Sequence, residues 1–104
     1  MKPFTIIIST FNEEDTIREC LDRVRKAAPE AEILLIHGGR DGTARAAREW
    51  GEDHSDPIRV YNHYGDSGKG HAIKTGVTLA SHPVMLQFDA DLQFAPEDIP
   101  RMVV

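Results

Sequence analysis

Phe4-Thr5-Ile6-Ile7-Ile8 is an unbroken run of apolar and β-branched residues. A strand with one wet face alternates apolar and polar residues. This run does not, so it reads as a strand buried on both faces, the condition of a parallel sheet. Ile33-Leu34-Leu35-Ile36 repeats the pattern, and Val84-Met85-Leu86-Gln87-Phe88 gives it once more before Asp89. Ile58-Arg59-Val60-Tyr61 is a strand of lower hydrophobicity and is expected at an edge.

Between these runs the period changes to that of a helix. Asn12 reads as an N-cap, with Glu13, Glu14 and Asp15 in a first turn, and Ile17, Cys20, Leu21, Val24 and Ala28 follow at helical spacing until Pro29. Asp41 reads as the cap of a helix from about Gly42 to Trp50, with Ala44, Ala47 and Trp50 on one face. Ala72, Ile73, Gly76, Val77 and Ala80 mark a third helix, stopped at Ser81-His82-Pro83, and Pro96 suits the first position of a fourth. The order βαβαβαβ predicts an α/β fold, a Rossmann-like parallel sheet with helices on both faces. Ligands of such sheets bind at the carboxyl ends of the strands. That places the segments Ser9–Glu14, His37–Gly42, Asn62–Gly70 and Asp89–Gln93 on one rim.

The 104 residues fit a single domain, and 40% hydrophobic with 28% charged residues is ordinary for a globular chain. A formal net charge of -5 argues against nucleic acid as a partner. The single cysteine, Cys20, excludes an intrachain disulfide and reads as a buried thiol. No apolar run reaches the length of a membrane span, so the chain is expected to be soluble and cytoplasmic.

Asp89-Ala90-Asp91 places two carboxylates just beyond a buried strand. They need neutralising, and Mg²⁺ or Mn²⁺ shared with substrate phosphates does so, with Gln93 adding an amide oxygen. The competing reading is a solvated turn with a capping Asp. Gly65-Asp66-Ser67-Gly68-Lys69-Gly70 matches neither the P-loop nor the dinucleotide fingerprint. It reads either as a flexible connection or as a loop that brings Lys69 and helix N-terminal amides to negative charge. Phe11 is either core or a platform for a base. Glu13 is either a helix-dipole partner or an acceptor for ribose or base N–H groups. The five histidines lack the spacing of a zinc helix.

Four of these segments, in order, resemble those of family 2 glycosyltransferases with the GT-A fold. They are Ile8-Ser9-Thr10-Phe11-Asn12-Glu13-Glu14, Gly38-Gly39-Arg40-Asp41-Gly42-Thr43, Gly68-Lys69-Gly70-His71-Ala72-Ile73-Lys74-Thr75-Gly76 and Asp89-Ala90-Asp91-Leu92-Gln93-Phe94-Ala95-Pro96-Glu97-Asp98-Ile99-Pro100. The last is similar to the run found in dolichyl-phosphate or polyprenyl-phosphate mannosyltransferases. The resemblance implies a UDP- or GDP-sugar donor and transfer of a hexose, with inversion, to a polyprenyl phosphate or saccharide acceptor. Ser9, Phe11 and Glu13 would line the nucleoside pocket. Asp89 and Ala90 would approach ribose and phosphates, and Lys69 would lie near the base or phosphate. Asp89, Asp91 and Gln93 would hold the metal. Ile36 and His37 stand where the family has an acidic pair, so His37 would offer the base a neutral nitrogen instead. Residues 1–104 would then be the donor-binding half of a transferase domain. The acceptor site, the general base and any association with the cytosolic face of a membrane would lie beyond Val104, and this chain alone would not turn over. Two other readings compete. A sugar-phosphate nucleotidyltransferase would need a glycine-rich basic loop after the first strand, where this chain has Ser9–Glu14. A non-catalytic assembly module would self-associate through an exposed sheet edge.

Overall fold

The computed structural model describes residues 4–62, 68–82, 85–90 and 95–99, with the backbone alone at 68–73 and 88–89. Its elements are β1 (Thr5–Thr10), α1 (Ile17–Ala27), β2 (Glu32–His37), α2 (Thr43–Asp53), β3 (Arg59–Asn62), α3 (Gly68–Leu79), β4 (Met85–Asp89) and a 3₁₀ turn at Pro96–Asp98. The four strands form one sheet in the order β3-β2-β1-β4, with every pairing parallel. The two apolar triplets register as Ile6 with Ile33, Ile7 with Leu34 and Ile8 with Leu35. All six side chains are buried. Each contributes about 1.5–3 kcal/mol on leaving water.

Alternation along the strands divides these residues between two layers. Ile6, Ile8, Ile33 and Leu35 pack with Ile17, Cys20, Leu21 and Val24 of α1 and with Ala47 and Trp50 of α2. Ile7 faces the other way, against α3 at Gly76. Helices therefore cover both faces, as the continuous apolar strands require. The less apolar β3 is an edge strand, as its composition predicts. Cys20 is fully buried.

Several boundaries differ from those expected. Helix α1 begins at Ile17, not after Asn12. The Glu13 carbonyl accepts from the N–H groups of Thr16 and Ile17 at 3.1 and 2.8 Å, so residues 13–16 form a turn ahead of the helix. Helix α2 runs on to Asp53, because Trp50 and His54 stack at 4.4 Å and the Asp22 carboxylate accepts from Trp50 Nε1 at 2.8 Å. Gly68, Lys69 and Gly70, expected in a loop, form the first turn of α3. Of the helix expected at Pro96, the described residues show a 3₁₀ turn at Pro96–Asp98 and a helical Ile99, and its remainder lies outside the described residues. The turn is held by the buried Ile99 and by a paired Arg23–Glu97 contact, Nε to Oε2 at 2.8 Å and Nη2 to Oε1 at 2.5 Å.

The packing of α3 on β1 depends on a missing side chain. A Cβ at Gly76 would stand 2.5 Å from Ile7 Cγ2 and 2.9 Å from its Cδ1. Ile7 is β-branched and stiff at χ1, so it cannot yield cheaply. Gly76→Ala is expected to destabilise the domain by about 1–3 kcal/mol in urea unfolding.

Candidate functional site

The strand order changes direction once. From β1 the chain steps to β2 and then β3, and then returns to place β4 on the other side of β1. The gap between β1 and β4 is therefore the topological switch point, where the loops leaving the carboxyl ends diverge and open a crevice. Ser9 registers with Asp89 across this pair, so β4 ends beside the point where β1 enters its rim loop.

Phe11 stands on that loop with 59% of its surface exposed. It is not core. The loop beneath it is tightly tied. Glu13 Oε2 accepts from the Phe11 N–H at 2.5 Å, and the Glu13 N–H donates to Thr43 Oγ1 at 3.1 Å. Glu14 Oε1 accepts from the Gly42 N–H at 2.9 Å. Gly38 N–H donates to the Thr10 carbonyl at 2.9 Å. Gly39 admits the closest approach, since a Cβ there would fall 2.1 Å from the Phe11 carbonyl oxygen. The β1 and β2 rim loops are thus one joined surface. The donors at the start of α2 are used within it. Asp41 Oδ1 accepts from the Thr43 N–H at 3.2 Å and from the Thr43 hydroxyl at 2.7 Å. An anionic ligand finds that helix start already filled by the chain's own carboxylates.

Three residues expected on the rim lie beneath it. Ser9 is buried, and its Oγ accepts from Gln87 Nε2 at 3.2 Å. Ala90 is fully buried and donates its N–H to the Ser9 carbonyl at 3.1 Å, so it fixes the turn after β4. His37 does not offer a nitrogen to a base. Its ring is 1% exposed, with Nδ1 2.7 Å from Thr10 Oγ1 and Nε2 3.1 Å from Asp41 Oδ1. The second contact is at ion-pair distance but off the line of a hydrogen bond. Register explains the burial. Thr10 pairs with His37, so both share the α1-side face with Ile8 and Leu35. Lys69 lies in the first turn of α3, and Asp89 is the last residue of β4. Asp91 and Gln93 lie outside the described residues. Among the described residues, no three His, Cys, Asp or Glu side chains gather as a metal site. Asp41 and Thr43 were not singled out as site residues by sequence reasoning. The cue was present in Asp41-Gly42-Thr43, which reads locally as a cap and conceals its tie to Glu13.

Burial pushes the His37 pKa below the ordinary histidine value, and the nearby Asp41 only partly opposes this. For Asp41, burial works against the charge, but the Thr43 hydroxyl and N–H and the His37 ring outweigh it and lower the pKa. The unfolded chain takes up a proton on His37 near pH 6.5 and the folded chain resists it. Stability is expected to fall as the pH drops below about 6.5. Urea unfolding from pH 7.5 to 5 is expected to show a shallower loss in His37→Asn than in the parent chain.

Residues 5–104 match the family model for glycosyl transferase family 2. An undecaprenyl-phosphate 4-deoxy-4-formamido-L-arabinose transferase of Pseudomonas fluorescens is 34% identical over 99% of this chain and 33% of its own length. The polyprenol monophosphomannose synthase of Mycolicibacterium smegmatis is 30% identical over 94% of this chain and 38% of its own length. The chain thus spans about a third of the length of the curated relatives it matches. A mannosyltransferase of Pyrobaculum calidifontis, solved with GDP-Man and Mn²⁺, superposes with a TM-score of 0.76 at 29% identity, over 91% of this chain and 29% of that one. The glucosyl-3-phosphoglycerate synthase of Mycobacterium tuberculosis, solved with Mn²⁺, UDP and phosphoglyceric acid, shares the fold with a TM-score of 0.76 at 21% identity, over 95% of this chain and 37% of that one. With the parallel sheet, its switch point and the family match on nearly every residue, the chain belongs to glycosyl transferase family 2.

Proposed function

We propose that this chain binds a nucleotide-diphospho-sugar, a UDP- or GDP-sugar, as the donor part of a metal-dependent glycosyltransferase. The acceptor of the whole protein is a polyprenyl phosphate, and the membrane surface that carries such a lipid is where the protein works. One observation carries the reading. At the switch point Ser9 of β1 registers with Asp89 at the end of β4, and the exposed Phe11 and Glu13 lie on the loop that leaves β1 just beyond Ser9. An aromatic face and a carboxylate-bearing strand end on neighbouring strands suit the two halves of a nucleoside diphosphate.

Phe11 offers a hydrophobic face for stacking a base. The Glu13 carboxylate, already accepting from the Phe11 N–H, has further lone pairs for a ribose hydroxyl or base N–H. Lys69 belongs to the first turn of α3, and a cationic residue there together with the helix N-terminus would favour phosphate. Asp89, Asp91 and Gln93 offer side-chain oxygens only, the chemistry that suits a hard divalent cation, and would hold Mg²⁺ or Mn²⁺. Bound there, the ion would supply Lewis-acid stabilisation to the leaving diphosphate. The relatives named for lipid-phosphate sugar transfer support the acceptor class, as does the motif at Asp89–Pro100. Among the described residues no helix is long and apolar enough to cross a membrane.

NMR titration of the 104-residue chain with UDP and GDP tests the donor reading. With MgCl₂, the amides of Phe11 and Glu13 are expected to shift at millimolar nucleotide. With MnCl₂, the Ala90 amide is expected to broaden. Asp91→Asn is expected to weaken nucleotide binding by about tenfold or more, the worth of a charge-assisted contact. Unmoved spectra at millimolar ligand would sink the proposal.

A further inference from the structure

A polar path, hydrogen-bonded except for one electrostatic link between His37 and Asp41, runs beneath Phe11. Thr10, the last residue of β1, sets its Oγ1 2.7 Å from His37 Nδ1. His37 Nε2 lies 3.1 Å from Asp41 Oδ1. Asp41 Oδ1 accepts from the Thr43 hydroxyl at 2.7 Å, and Thr43 Oγ1 in turn accepts from the Glu13 N–H at 3.1 Å. Glu13 lies three residues beyond Thr10, so the path leaves the rim loop on one side of Phe11 and returns to it on the other. Glu13 Oε2 then accepts from the Phe11 N–H itself.

Donor and acceptor roles agree at each hydrogen bond of the path, and the His37–Asp41 link is electrostatic. A carboxylate only accepts, so the Thr43 hydroxyl hydrogen points to Asp41 and leaves its oxygen for Glu13. The same carboxylate favours a proton on His37 Nε2, which leaves Nδ1 as acceptor for the Thr10 hydroxyl. The ring is 1% exposed while Phe11 is 59% exposed. The histidine is the hidden part of the device and the aromatic its presented part.

We propose that His37 is a positioning residue for nucleoside binding, holding both flanks of the Phe11 loop so that the ring stands ready outside it. This inference rests on the donor-site reading above and deepens it. A loop fixed before binding loses less freedom on binding, so the gain appears as nucleotide affinity. His37 reaches the nucleoside through Phe11 and not by its own nitrogens.

A double-mutant cycle tests this with two variants, His37→Phe and Thr10→Val, each alone and combined with Phe11→Ala. Thr10→Val removes one hydroxyl at nearly constant shape and serves if His37→Phe does not fold. The readouts are affinity for UDP and for GDP, each with MnCl₂, and exchange of the Glu13 amide hydrogen. Each single variant is expected to weaken nucleotide binding about tenfold, the net worth of a buried hydrogen bond, and to speed Glu13 exchange about tenfold. In the Phe11→Ala background the same changes are expected to cost less than about twofold in affinity. Losses that multiply in that background, or a Glu13 amide that exchanges at the parent rate, overturn the proposal. If the parent chain binds neither nucleotide, the donor reading fails by itself, and the Glu13 exchange rates still decide whether His37 holds the loop.

Discussion

Strand β1 has no face and no edge in water. It pairs in parallel with β2 on one side and β4 on the other, with helices over both faces. Every polar side chain it carries must therefore find its partner inside the chain. Thr5 donates to Glu32 Oε1 at 2.7 Å, Ser9 accepts from Gln87, and Thr10 meets His37. These three contacts reach both neighbouring strands and both ends of the sheet. The central strand thus constrains which residues β2 and β4 can carry opposite it.

The two ends of the sheet use that constraint differently. At the amino end the polar groups close on one another. Arg25 pairs with Asp56 through Nε at 2.7 Å and Nη2 at 2.9 Å, while its Nη1 donates to the carbonyls of Ala28, Pro29 and Ala31. Glu32 accepts from the Ser81 N–H and hydroxyl at 2.9 and 2.7 Å. Burial disfavours the Glu32 charge, yet these bonds with those of Thr5 and Arg59 still lower its pKa. At the carboxyl end the closure is incomplete. The Thr10–His37–Asp41–Thr43–Glu13 path ties two loops together and leaves Phe11 outside. A large aromatic left exposed on such a tied loop forgoes the stabilisation that its burial would bring.

Much of this was legible beforehand, for a physical reason. Ile6-Ile7-Ile8 and Ile33–Ile36 carry their own evidence of two-sided burial, because a half-wet strand would alternate. Ile17, Cys20, Leu21 and Val24 likewise form one helical stripe whatever lies opposite. Boundaries were harder. Asn12 satisfies the local rules of an N-cap, but the Glu13 carbonyl binds the Thr16 and Ile17 amides and delays the helix. Gly68 and Gly70 favour a loop by composition, yet they begin α3.

The site divides in the same way. Sequence alone determined the parallel α/β class, the rim on which unusual residues gather and the carboxylate pair near the end of β4, because periodicity and strand-end position are properties of the chain. Tertiary structure decided which rim residues face outward. Nothing in Ser9-Thr10-Phe11 or Ile36-His37 tells that Phe11 is exposed while Ser9 and His37 are covered. That follows from the register of Thr10 with His37 and of Ser9 with Asp89, set by pairing between segments far apart in the chain.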